Sequence, residues 1–184
     1  MRRIPFLVPL LFLAGCLTSE PPRFAVEPLP SAARIATSAE TISIADVSLP
    51  AYAKEQRIIV QNPSGALVPL DDADWADEQE RAMTYALVRY VAEISGAQVA
   101  ADPWPLGGIP EAEVKVFVGT MLYDRTGMLT LAGQFSVRRD VQESRSRIVP
   151  FDIRIPAGSS TPDGIAQVHG AAWRALAVLI AQAV

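Results

Sequence analysis

The chain contains one cysteine, Cys16, placed directly behind an apolar run over residues 4–14. A domain with a single cysteine cannot close an internal disulfide. Whatever follows must therefore hold itself together by burying apolar side chains. The composition supplies them, at 50% hydrophobic against 20% charged residues. Arg2 and Arg3 precede the run, and small residues end it. A basic start, a short apolar core and small residues before a cut form a secretory signal peptide. The run is about eleven residues long, and a membrane-spanning helix needs about twenty. Residues 1–15 therefore read as a signal segment rather than a span.

The end of that segment, Leu13-Ala14-Gly15-Cys16, resembles the lipobox of bacterial lipoproteins. The resemblance implies that the Cys16 thiol receives a diacylglycerol, that the chain is cut before Cys16, and that the new amine is acylated, as with palmitate. Left unmodified, Cys16 would be an odd free thiol in an oxidising compartment. Each buried methylene contributes about 0.8 kcal/mol, and one acyl chain alone holds a protein only marginally; several chains make the attachment permanent. Leu17 follows the cysteine. In lipoproteins an aspartate there favours the inner membrane, so the expected location is the outer membrane, lipid-anchored and facing the periplasm.

Formal net charge is −4, and Arg2 and Arg3 leave with the signal segment. An acidic domain lacks the clustered Lys and Arg that nucleic acid requires. It also lacks a broad electrostatic grip on anionic lipid heads.

Residues 16–40 read as the lipidated N-terminus and a tether. Pro21, Pro22, Pro28 and Pro30 stiffen the chain and cannot donate to a ladder, although residues 23–27 have the look of a short edge strand. Residues 41–184 form the single periplasmic domain. Alternation with β-branched residues predicts strands over 41–49, 56–61 and 66–70. Pro50 ends the first, 51–55 is a turn or short helical piece, and Asn62-Pro63-Ser64-Gly65 closes a hairpin. Asp71, Asp72 and Asp74 then open a helix over 75–95, with Trp75 at its head. Trp75, Met83, Ala86, Leu87, Tyr90, Val91 and Ile94 make its apolar face, Asp77, Glu78 and Glu80 favour its N-terminal dipole, and Gly96 stops it. A short strand over 97–101 and a Pro/Gly loop over 102–110 follow. Strands over 113–124, 128–139 and 145–155 form an antiparallel meander with one wet face, with polar turns at 125–127 and 140–144. Thr161 or Asp163 caps a last helix whose stripe is Ile165, Val168, Ala172, Leu176, Leu179 and Ile180. From Ala171 it is apolar nearly all round, so it is sandwiched in the core or covered by a neighbouring subunit. The fold class is α+β: a mostly antiparallel sheet with two main helices packed on one face.

The chemistry-bearing residues do not assemble. His169 is the single histidine, and any general base or zinc site would have to use it. It lies on a packing helix. The acidic run from Asp71 lacks the glycine and the final glutamate of a calcium loop. Gly107-Gly108 has no following Lys and Ser/Thr to make a phosphate cradle, and no nucleophile-elbow motif is present. The reading is therefore no enzyme, no metal site and no cofactor. Trp75 and Trp173 suit the core or an interface, whereas Trp104, in a loop, suits an interface.

The order of these elements resembles the PqiC-type ABC transport auxiliary lipoproteins. The features that carry it are the lipobox, Arg23-Phe24-Ala25-Val26, the strand Ile42-Ser43-Ile44-Ala45-Asp46-Val47-Ser48-Leu49-Pro50-Ala51-Tyr52, then Gln56-Arg57-Ile58-Ile59-Val60, Trp75, the 127–138 strand and the last helix. Phe24, Ala53 and Phe135 depart from the family's usual tyrosine, leucine and tryptophan, each an apolar exchange. The resemblance implies a non-catalytic accessory subunit that supports membrane integrity. It would be the partner of a mammalian-cell-entry (MCE) domain protein in an intermembrane lipid transport system, and a homo-oligomer. Pro50 and Tyr52, on a turn fixed by the proline, are the candidate partner contacts together with Trp104. The competing readings are a monomeric lipid- or solute-binding lipoprotein and a structural outer-membrane assembly factor.

Overall fold

The computed structural model describes residues 20–27, 29–30, 34–139 and 146–184. The signal segment 1–15, Cys16 and the polar turn read over 140–144 lie outside the described residues. The element order is β1 (Arg23–Phe24), β2 (Thr41–Ile44), a 3-10 turn (Ala51–Lys54), β3 (Arg57–Gln61), β4 (Leu67–Trp75), α1 (Gln79–Ser95), β5 (Gln98–Ala101), β6 (Ala112–Tyr123), β7 (Met128–Arg139), β8 (Arg147–Pro156) and α2 (Pro162–Ala183). The chain is α+β, with one eight-stranded mixed sheet whose long ladders are antiparallel.

β6 is the spine of the sheet. Along one edge it pairs antiparallel with β7 from Ala112↔Arg139 to Tyr123↔Leu129, and β7 pairs in the same way with β8. The other edge is shared end to end. β2 pairs parallel with the start of β6 at Ile42↔Ala112, Ser48 bridges to Phe117, and β3 meets the end of β6 at Val60↔Tyr123. β5 lies parallel on the far side of β2, and β4 with the short edge strand β1 lies beyond β3.

The alternation read from the sequence sets the two faces. Val114, Val116, Leu129, Leu131, Phe135 and Val137 are buried against the helices. Lys115, Gln134 and Arg138 face water with Phe117 and Ile148, which are 49% and 67% exposed. On this wet face the Arg138 guanidinium, and after it the Lys115 ammonium, hold the Glu113 carboxyl below its ordinary range. α1 and α2 pack on each other and on the other face, α1 over β5 and α2 over β7 and β8.

Two sequence readings are corrected. The run Asp71-Asp72-Ala73-Asp74 continues β4 instead of opening a helix, and Trp75 is the last residue of that strand. Pairing of Asp74 with both Arg57 and Arg23 outweighs the capping preference of the aspartates, because each ladder bond satisfies a backbone group that a cap would leave to water. A register shift opposite Arg57 and Ile59 accompanies the left-handed φ of 50° at Asp72, a conformation aspartate tolerates. α1 begins four residues later than expected, at Gln79, after Glu78, which makes no side-chain cap bond. Asp77 and Glu78 thus precede the helix, and only Glu80 lies in its first turn. The other ends agree with the sequence. Gly96 stops α1 at φ 73°, donating to Ala92 O, and the Thr161 hydroxyl accepts the Gly164 amide at the head of α2.

Candidate functional site

The described residues between 20 and 40 do not stand away from the domain. Glu20 to Phe24 come up beside β4, where Asp74 N donates to Pro22 O and Ala76 N to Phe24 O, at 3.1 and 2.8 Å. The chain then runs as a strap along the outside of the helix layer. Leu29 N donates to the Tyr90 hydroxyl at 3.0 Å, and the Arg174 guanidinium donates to Pro30 O at 2.6 Å. Ile35 N donates to Ile94 O, and Ser38 N to the C-terminal residue Val184, before β2 begins. Val26 and Ile35 pack on the core. Gly170 gives the strap its closest approach, with Val26 and Glu27 lying over the place a side chain would occupy. The strap therefore explains the outer apolar side of α2. That helix is long and apolar enough to cross a membrane, yet 61% of its apolar window is buried within the domain.

His169 is sealed inside this layer at 5% exposure. Its Nδ1 lies 2.8 Å from Ile165 O, and its ring meets Trp75 edge-on at 5.1 Å and Trp173 at 6.3 Å. Burial pushes its pKa down to about 4, against a smaller upward pull from the Ile165 carbonyl. The buried imidazole is therefore neutral near pH 7 and packed between the two tryptophans. Among the described residues no group of three His, Cys, Asp or Glu is placed to hold a metal ion.

The candidate contact residues fall on two separate loops. Pro50 caps the 3-10 turn and its carbonyl accepts from Ala53 N at 2.9 Å. Tyr52 is half-buried, and its hydroxyl accepts the Met121 amide of β6 at 3.1 Å. The proline sets the turn and the phenol ties it to the spine of the sheet. Trp104 lies in the loop between β5 and β6, half-buried, with Leu106 and Ile109 beside it at 54% and 66% exposure. β5, β2 and β6 are parallel neighbours, so this loop is a crossover that must pass β2. Ser43 points away from the helix-facing Ile42 and Ile44 and is nevertheless 1% exposed. Sequence reasoning singled out Trp104 through its loop setting. It missed Leu106 and Ile109, whose exposure has no signature in a Pro/Gly segment.

A family model described as an ABC-type transport auxiliary lipoprotein component matches residues 24–181. No curated protein matches the sequence. Among solved structures, the crystal structure of an uncharacterized protein superposes with a TM-score of 0.69 at 16% identity, covering 88% of this chain and 98% of that one. A Xanthomonas campestris protein of the family DUF330 superposes with a TM-score of 0.62, also at 16% identity, covering 88% and 90%. At such identities the likeness is one of fold.

Proposed function

The chain belongs to the family of ABC-type transport auxiliary lipoprotein components, and from that premise we propose that it is the outer-membrane-anchored, periplasm-facing, non-catalytic subunit of an MCE-type intermembrane lipid transport system. The observation that carries this reading is the family match from residue 24 to residue 181, which takes in the strap, the sheet and both helices. It begins only a few residues after Cys16, the proposed lipidation site.

Several features support the parts of the proposal. The lipobox supports cleavage after residue 15 and acylation of Cys16, and Leu17 supports the outer membrane. The sealed His169 supports a role without catalysis. Self-association is supported by β8, which pairs with β7 along one edge only among the described residues, and by Phe117 and Ile148 on the wet face. An open edge strand invites a further strand. Trp104 leads the proposed contacts to the transporter, since a partly exposed tryptophan beside apolar neighbours has the composition of a binding hot spot. Pro50 and Tyr52 are the second proposed contact.

Fractionation of cells fed a labelled fatty acid tests the anchor. The wild-type protein is expected to carry label and to sediment with outer membranes, and Cys16→Ser to lose both. Label persisting on Cys16→Ser would overturn the reading.

A further inference from the structure

We propose that the domain stands upright on the bilayer, with the β3–β4 hairpin (residues 62–65) and the β6–β7 turn (residues 124–127) against the phospholipid head groups, and with the end that carries Arg139, Arg147 and Val184 pointing away. This orientation rests on lipidation of Cys16.

The strap gives the molecule a direction. Along it the chain passes Asp74, then Tyr90, then Ile94, then Val184, so strap, α1 and α2 all run the same way. Where the strap ends, β6 starts: Glu111 N donates to the Thr41 hydroxyl, and Glu40 N to the Glu111 carboxylate, both at 2.9 Å. Arg147 donates to Ala183 O at this same end, and Arg139 to the Ser38 hydroxyl. β6 runs back the other way and finishes at Tyr123 beside Val60. Beyond Tyr123 lie the 124–127 turn and the 62–65 hairpin, joined by Arg125 donating to Pro63 O. Ala157 N donates to Gly127 O, which places the β8–α2 connection at this end too.

The anchor enters from that second end. Arg23 pairs with Asp74, whose partner Arg57 lies three residues before Val60. The entry level is thus about 10 Å from the Tyr123 end of β6 and about 27 Å from its Ala112 end, at about 3.3 Å per strand residue. Between Cys16 and Arg23 the extended chain spans at most about 25 Å. β1 runs parallel to β4, which rises from the hairpin, so the chain preceding Arg23 arrives from the hairpin side. A tether of this reach brings the hairpin and turn to the lipid surface before any other part of the sheet. Their residues suit head groups rather than acyl chains: Asn62, Ser64, Gly65, Asp124, Arg125 and Thr126 present no large apolar side chain for insertion.

Once acylated, Cys16 is no free thiol and the chain has no other cysteine, which makes single thiol probes clean. The experiment uses the full-length lipoprotein in phosphatidylethanolamine/phosphatidylglycerol vesicles that carry a nitroxide on the lipid head group. Fluorophores are attached through Ser64→Cys at the hairpin and Gln182→Cys at the opposite end. A second pair, Gly158→Cys and Ser146→Cys, repeats the comparison should either of the first fold poorly. The expected result is loss of most emission at positions 64 and 158 and little loss at 182 and 146. Equal quenching at both ends, or the reverse pattern, would overturn the orientation. So would quenching at position 64 by a second labelled copy rather than by lipid, which would give that end to a protein contact. Failure of the protein to float with vesicles would overturn the lipidation reading itself, and the flotation step separates that failure from the others.

Discussion

A Cβ atom on Gly170 would stand 3.0 Å from the carbonyl oxygen of Glu27 and 3.3 Å from Val26 Cγ1. The strap and α2 touch backbone to backbone at this point. Two effects oppose each other on substitution. Replacing a helical glycine by alanine gains up to about 1 kcal/mol of helix propensity, and an added methyl under a backbone oxygen is overpacking. Gly170→Ala should come out near neutral. Gly170→Val adds β-branched bulk and should cost about 1–3 kcal/mol. Urea unfolding gives the magnitude, and limited proteolysis should show new cleavage within residues 20–40 for the valine variant alone.

The Tyr90 hydroxyl holds the same strap through the Leu29 amide. Tyr90→Phe keeps the ring, which is 0% exposed, and removes only the acceptor. It should cost about 1 kcal/mol and raise hydrogen exchange at Leu29 while leaving the Ile35 amide, which donates to Ile94 O, protected. A loss above about 3 kcal/mol, the scale of a large core truncation, would mean that the phenol does more than pin the strap.

Much of this architecture is legible in residue order. The alternation in β7, β8 and the first half of β6 and the stripe of α2 are local, and the structure keeps them. At the register shift between Val118 and Thr120 the phase of β6 changes, so that Met121 and Tyr123 are buried where alternation alone would have buried Leu122. What the sequence hides is long-range. Asp71, Asp72 and Asp74 look like helix-opening residues, and only pairing with β3 and β1 makes them a strand. The prolines of residues 21–30 look like a free tether, because the contacts that lay this segment on the helices come from Tyr90, Gly170 and Arg174, far away in the chain. The exposure of Leu106 and Ile109 follows from the crossover past β2, which no local pattern announces.

His169 makes stability depend on acid. Its ordinary pKa of 6.5 is lowered to about 4 in the fold by burial, so the unfolded chain takes a proton that the native core refuses. Stability is fully present above about pH 6.5 and falls as pH drops toward about 4, by up to about 3 kcal/mol. Glu113, lowered by Arg138 and Lys115, acts in the same direction at lower pH, as its carboxylate protonates. His169→Leu should therefore flatten the fall between pH 6.5 and 4 without changing partner capture. Urea midpoints at about pH 4.5 and about pH 7 for both proteins measure it; an unchanged slope would contradict the assignment.

Tyr52 and Trp104 should separate in their effects. Tyr52 is bonded to Met121 N, so Tyr52→Ala should lose about 3 kcal/mol of stability and Tyr52→Phe about 1 kcal/mol. Trp104→Ala, in an exposed loop, should change stability by less than about 1 kcal/mol and weaken transporter capture by about 2 kcal/mol. Melting temperature and quantitative pull-down, read on the same preparations, make the comparison.

The proposed role is tested most directly by in-membrane crosslinking of the tagged, lipidated protein, followed by identification of what co-purifies. The account predicts copies of the chain itself together with the MCE-domain protein of the host's transporter, with the latter reduced by Trp104→Ala. A protein that is monomeric after crosslinking and recovers no subunit of any ABC transporter, while still lipidated and folded, would contradict it.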